Sequence, residues 1–92
     1  MHETGIVRDL IRRINQTAAS AGAARVSAIS VRIGALSGFS PGHFREHFGE
    51  EAGGTRAEGA VLHLEVSDDI SAPYAQDVTV EHVTLETPEG RR

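Results

Sequence analysis

Arg25-Val26-Ser27-Ala28-Ile29-Ser30-Val31-Arg32-Ile33-Gly34-Ala35-Leu36-Ser37-Gly38 is the stretch from which the fold is read. From Arg25 to Ile33 the residues alternate, with Ile29, Val31 and Ile33 on one side and Ala28, Ser30 and Arg32 on the other. Successive side chains of a strand point to opposite faces, so this pattern predicts a half-buried strand. Gly34, Ser37 and Gly38 then end it in a turn.

Working outward, the residues before the strand change period. Ile6, Val7, Leu10, Ile11, Ile14, Ala18 and Ala21 recur at intervals of three and four, which predicts an amphipathic helix over Thr4 to Ala21. Arg8, Asp9, Arg12, Arg13, Asn15 and Gln16 fill its other face. Thr4 is placed to cap its start and Gly22 to stop it in the left-handed conformation. After the turn, Ser40-Pro41 opens a second helix, with Ser as cap and Pro at the first helical position. Phe44 and Phe48, one turn apart, are its core anchors, and Gly53-Gly54 ends it.

Two further strands follow. Val61 to Val66 alternates, with Leu62, Leu64 and Val66 inward and His63 and Glu65 outward. Val78 to Glu86 changes phase between Val80 and Val83. A bulge near Glu81-His82 would bring Val78, Val80, Val83 and Leu85 all toward the helices. The order α-β-α-β-β predicts an α+β fold, two helices packed on one face of a small three-stranded sheet. Residues 1–87 form one domain and 88–92 a frayed tail. A three-stranded sheet leaves exposed edges, which opens a homodimer by edge pairing or through the uncovered face.

Composition narrows the function. Nine basic residues, all Arg, against 13 acidic ones give a net charge of -4, and only four residues are aromatic. Neither a basic stripe for phosphate backbones nor stacking platforms for bases can be built from these, so nucleic acid is not an expected partner. No apolar run is long enough to span a bilayer and the start lacks a signal-peptide pattern, so the expected location is cytoplasmic. The absence of Cys removes disulfides, a thiol nucleophile and any thiolate metal site.

The start, Met1-His2-Glu3, carries the metal chemistry. The Met1 α-amine, the backbone nitrogens of His2 and Glu3 and the His2 imidazole lie within a few bonds of one another. Four nitrogens in a plane select Ni(II) or Cu(II). The site needs Met1 retained and unblocked, and a bulky His at the second position disfavours removal of the initiator Met. His43 and His47, four residues apart on a helix, have the spacing of a two-histidine clamp; the plainer reading is two solvated residues opposite Phe44 and Phe48. His63 and His82 read as exposed strand residues, and Asp68 and Asp69 as turn chemistry.

Met1-His2-Glu3 with Ile6, then Arg32-Ile33-Gly34-Ala35-Leu36-Ser37-Gly38 followed by Pro41, then Gly54-Thr55-Arg56-Ala57-Glu58-Gly59-Ala60 ahead of Leu62 and Leu64, resemble the HypA/HybF family. Its members are nickel metallochaperones for hydrogenase and urease maturation. The matches run in order from residue 1 to about residue 66, and a weaker one covers Val78 to Glu86. The resemblance implies transient Ni(II) held at Met1, His2 and Glu3, with a maturation GTPase and a nickel-enzyme precursor as partners. Two departures stand out. Where the family usually has Glu this chain has Ala35, and where the family inserts a zinc domain built on two Cys-x-x-Cys pairs it has only residues 68–77, so no zinc site is expected. A protein-interaction module that kept the fold without metal delivery is the alternative. An enzyme ranks last, because no Ser-His-Asp set, carboxylate pair in a pocket or phosphate-binding Gly loop is identifiable.

Overall fold

The computed structural model describes residues 3–87. Its elements are α1 (Glu3–Ser20), β1 (Arg25–Ile33), α2 (Pro41–Ala52), β2 (Val61–Val66) and β3 (Val78–Glu86). The two helices and the three-stranded mixed sheet are the predicted α+β arrangement, in strand order β2-β1-β3. The tail expected to fray over 88–92 lies outside the described residues.

The stripe on α1 buries Val7, Leu10, Ile11, Ile14 and Ala18, with Ile6 partly covered. The helix already includes Glu3, so Thr4 stands inside the first turn and not at the cap expected of it. Gly22 stops the helix at φ 70°. The Gly22 amide donates to the Ala19 carbonyl at 3.1 Å and the Ala23 amide to Ala18 at 2.9 Å, the paired bonds of a Schellman motif. This closure leaves Ala21 exposed, against expectation, and puts Ala23 in the core in its place.

β1 is the central strand. It runs parallel to β2, with Ile29 opposite Leu62, Val31 opposite Leu64 and Ile33 opposite Val66. It runs antiparallel to β3, where the pairing steps from Ser30–His82 to Val31–Val80 and leaves Glu81 as an extra residue. This is the bulge expected from the phase change, and Val78, Val80, Val83 and Leu85 all pack toward the core. A second bulge leaves Ser27 extra between Val26 and Ala28. It brings both Val26 and Ile29 to the buried face although they are three residues apart.

α2 places Phe44 and Phe48 in the core, their rings stacked at 6.0 Å, while Phe39 meets Phe44 edge-on at 5.8 Å. Ser40 holds the extended conformation of a cap and its carbonyl accepts from the Phe44 amide, but its hydroxyl makes no cap hydrogen bond. Val66, expected inward, is 53% exposed because it ends an edge strand and has neighbours on one side only. Arg8 donates to both carboxylate oxygens of Glu51, at 3.2 and 3.3 Å, linking the helices across their exposed faces. That bond holds the Glu51 carboxyl below its usual range.

Candidate functional site

The tight turn at Gly22 sends β1 back along α1, so the carboxyl end of β1 lies at the end of the domain where α1 begins. Three segments meet there: the first turn of α1, the 34–39 turn and the 67–77 connection. The last two are locked together. The Gly34 amide donates to the Asp77 carbonyl at 2.9 Å and the Leu36 amide to the Ala75 carbonyl at 2.6 Å. A Cβ on Gly34 would lie 2.3 Å from the Ala75 oxygen, so only Gly permits this approach. Arg32 completes the seam on the outer sheet face, its guanidinium 4.1 Å from the Tyr74 ring centre and ion-paired with Glu81.

Between α1 and β3 runs a groove of about 530 Å³, floored by Ile6, Leu10, Ile14, Val78, Val80 and Val83, with Ser37, Phe39 and Asp77 also lining it. Arg13, Thr17, Gln76 and Thr79 add polar side chains to its lining, and no His lines it. Nothing in it resembles an acid–base pair.

Of the candidate ligands, Met1 and His2 lie outside the described residues. Glu3 opens α1. The first amides of a helix have no intrahelical acceptor, so its backbone nitrogen is not consumed by the helix. The other histidines are dispersed: His43 is exposed on α2, His63 on β2 and His82 on β3, while His47 is half-buried with its Nδ1 4.0 Å from Glu50. Among the described residues no group of three or more His, Asp or Glu is placed to hold a metal, so His43 and His47 gain no third ligand. Asp69 accepts from the Ser71 amide at 3.0 Å and its hydroxyl at 2.8 Å. These bonds hold its carboxyl below the usual range and make it the turn residue expected.

The Gly54–Ala60 stretch has a role that sequence reasoning missed. Its Arg56 amide donates to Asn15 Oδ1 at 3.0 Å, its Arg56 Nε to the Ala23 carbonyl at 3.1 Å, and its Arg56 carbonyl accepts from the Val26 amide at 2.8 Å. Ala57 is buried beneath this clasp. The motif therefore fastens the far end of the domain. The sequence signal was Asn15, a poor residue for a helix interior unless its side chain has a partner.

Residues 1–72 match the family described as "Hydrogenase/urease nickel incorporation, metallochaperone, hypA". A hydrogenase maturation factor HypA from Roseiflexus sp. (strain RS-1) is 40% identical over 65 residues, 71% of this chain and 53% of that protein. One from Chlorobium limicola is 38% identical over 65 residues, covering 71% and 56%. The chain thus spans about half the length of the curated relatives it matches. The solution structure of the Ni metallochaperone HypA from Helicobacter pylori superposes with a TM-score of 0.81 at 16% identity, over 95% of this chain and 99% of that one, which shows the shared fold. The class so defined is a small α+β domain of the fold seen in that structure. This chain belongs to the HypA family. It has no Cys, and residues 67–77 alone join β2 to β3, so the thiolates of a zinc domain are missing.

Proposed function

We propose that the domain carries Ni(II) as cargo for maturation of a hydrogenase or urease, and is not itself an enzyme. The ion is held by the Met1 α-amine, the backbone nitrogens of His2 and Glu3 and the His2 imidazole. The observation that carries this reading is that residues 1–72, which include the three proposed donor residues, match a family described as nickel-incorporating. The fold supports it: α1 starts at Glu3, so the donors adjoin a packed helix whose positive end favours amide nitrogens as they lose protons. The cargo then passes to a maturation GTPase and a nickel-enzyme precursor. No described helix is long and apolar enough to cross a membrane, in keeping with a cytoplasmic exchange.

The test is calorimetric titration of untagged protein with Ni(II). His2→Ala, or one residue added before Met1, should abolish tight binding; unchanged affinity in both would overturn the assignment. Because the metal displaces protons from its ligands, binding weakens as pH falls through the ordinary His range near ~6.5.

A second reading, an interaction module without delivery, is favoured by Ala35, where the family usually has Glu, and by the missing thiolates. Maturation partners recovered equally by wild type and His2→Ala would support it; loss of all partners in the variant would count against it.

A further inference from the structure

We infer that His63 and His82 form a second metal site, on the sheet face away from the helices, where both imidazoles close on one divalent ion above Ser30. The two residues belong to opposite edge strands. The register nonetheless sets both against the same residue of the central strand, since Ser30 pairs with His63 of β2 and with His82 of β3. Residues opposed in register share a face, and Ile29, beside Ser30, is turned the other way into the core. His63, Ser30 and His82 therefore form one row across the outer face. The bulge completes that row: without the extra Glu81, His82 would fall opposite Ile29 and point into the core.

Adjacent strands lie about 4.8 Å apart, so the two histidines are separated by roughly 10 Å at the backbone. Imidazoles leaning inward from that separation meet over the middle of the row. Ser30, the small residue there, leaves the gap between them open. Both histidines are exposed, and among the described residues neither has a hydrogen-bond or ion-pair partner to give up. The helical pair His43 and His47 differs in this respect, because His47 is half-buried with its Nδ1 4.0 Å from Glu50.

The surroundings suit a cation. On one side of the row Arg32 stands opposite Glu65 and is ion-paired with Glu81, two carboxylates against one guanidinium. On the other side Ala28 pairs with Val61 and Thr84, which carry no charge. Imidazole ligands suit Cu(II), Ni(II) and Zn(II), and the order of affinity at such nitrogen sites puts Cu(II) first. With two protein ligands and water in the remaining positions, the ion is held loosely and exchanges. The helices cover the opposite face of the sheet, so this site shares no donor with the amino end and the nickel reading stands or falls separately.

The experiment uses the full chain carrying His2→Ala, which removes the amino-terminal imidazole from competition. Cu(II) is added at about pH 7.5, above the ordinary His range, so that both rings are neutral. Paramagnetic broadening of the amide resonances should centre on Ser30, His63 and His82 and saturate at one ion per chain. Adding His63→Ala or His82→Ala should each weaken this binding at least tenfold, because either change leaves a single imidazole. Ser30→Ile removes no ligand but fills the gap between the rings, and should weaken it as well. His63 and His82 are exposed, and circular dichroism confirms that each variant folds. Broadening absent from this row, or undiminished in any one of the three variants, would overturn the proposal.

Discussion

A methyl group on Gly34 would have to displace the Ala75 and Tyr74 carbonyls, which are backbone and cannot rotate away. Gly34→Ala should therefore cost about 1–3 kcal/mol, the usual range for overpacking, read as a lower urea midpoint. An unchanged midpoint would mean that the 74–77 segment yields freely. Phe44, fully buried between Phe39 and Phe48, sets the opposite limit. Its truncation in Phe44→Ala should cost about 3–5 kcal/mol. That is much of the roughly 5–15 kcal/mol that holds a domain together, so this variant should be largely unfolded by circular dichroism. These two residues were unequally legible. Phe44 declared itself by its spacing from Phe48 on one helix face. The demand on Gly34 comes from a segment some 40 residues later that no local pattern connects to it.

At the scale of elements, periodicity carried most of the fold because each strand and helix buries one face. The bounds of β1, β2 and β3 and the bulge at Glu81 follow from where alternation holds or slips. The bulge at Ser27 was illegible, since Ser27 and Ala28 are small and give no strong in-or-out signal. Val66 misled because alternation reports a side chain's direction but not how far the helices extend over it. The Arg56 clasp predicts that Asn15→Ala, which leaves the exposed Arg56 amide to water, costs about 0.5–1.5 kcal/mol, measured by thermal unfolding. The 67–77 connection has an acid signature. The Ser71 bonds depress the folded Asp69 carboxyl, so their contribution is full above the ordinary Asp range near ~3.9 and is lost as pH falls through the lower folded value. The Ser71 amide resonance should titrate with a midpoint below that range; a midpoint at or above it would contradict the turn geometry.

Taken as a whole, the molecule fastens one end with the Arg56 clasp and leaves α1 to start at the other, beside the seam between the 34–39 turn and the 74–77 segment. The stretches whose sequence resembles the family serve these fastenings: Gly34 in close approach, Arg32 on Tyr74 and Glu81, Gly54–Ala60 in the clasp. In the proposed reading the metal chemistry falls to the amino end, whose donors are named by three residues of sequence. The measurement that bears on this most directly is Ni(II) titration of the untagged chain beside the same chain carrying one extra residue before Met1, with circular dichroism confirming that both are folded. The account predicts one tightly bound Ni(II) per untagged chain and none in the extended chain. Equal affinity in the two would contradict it.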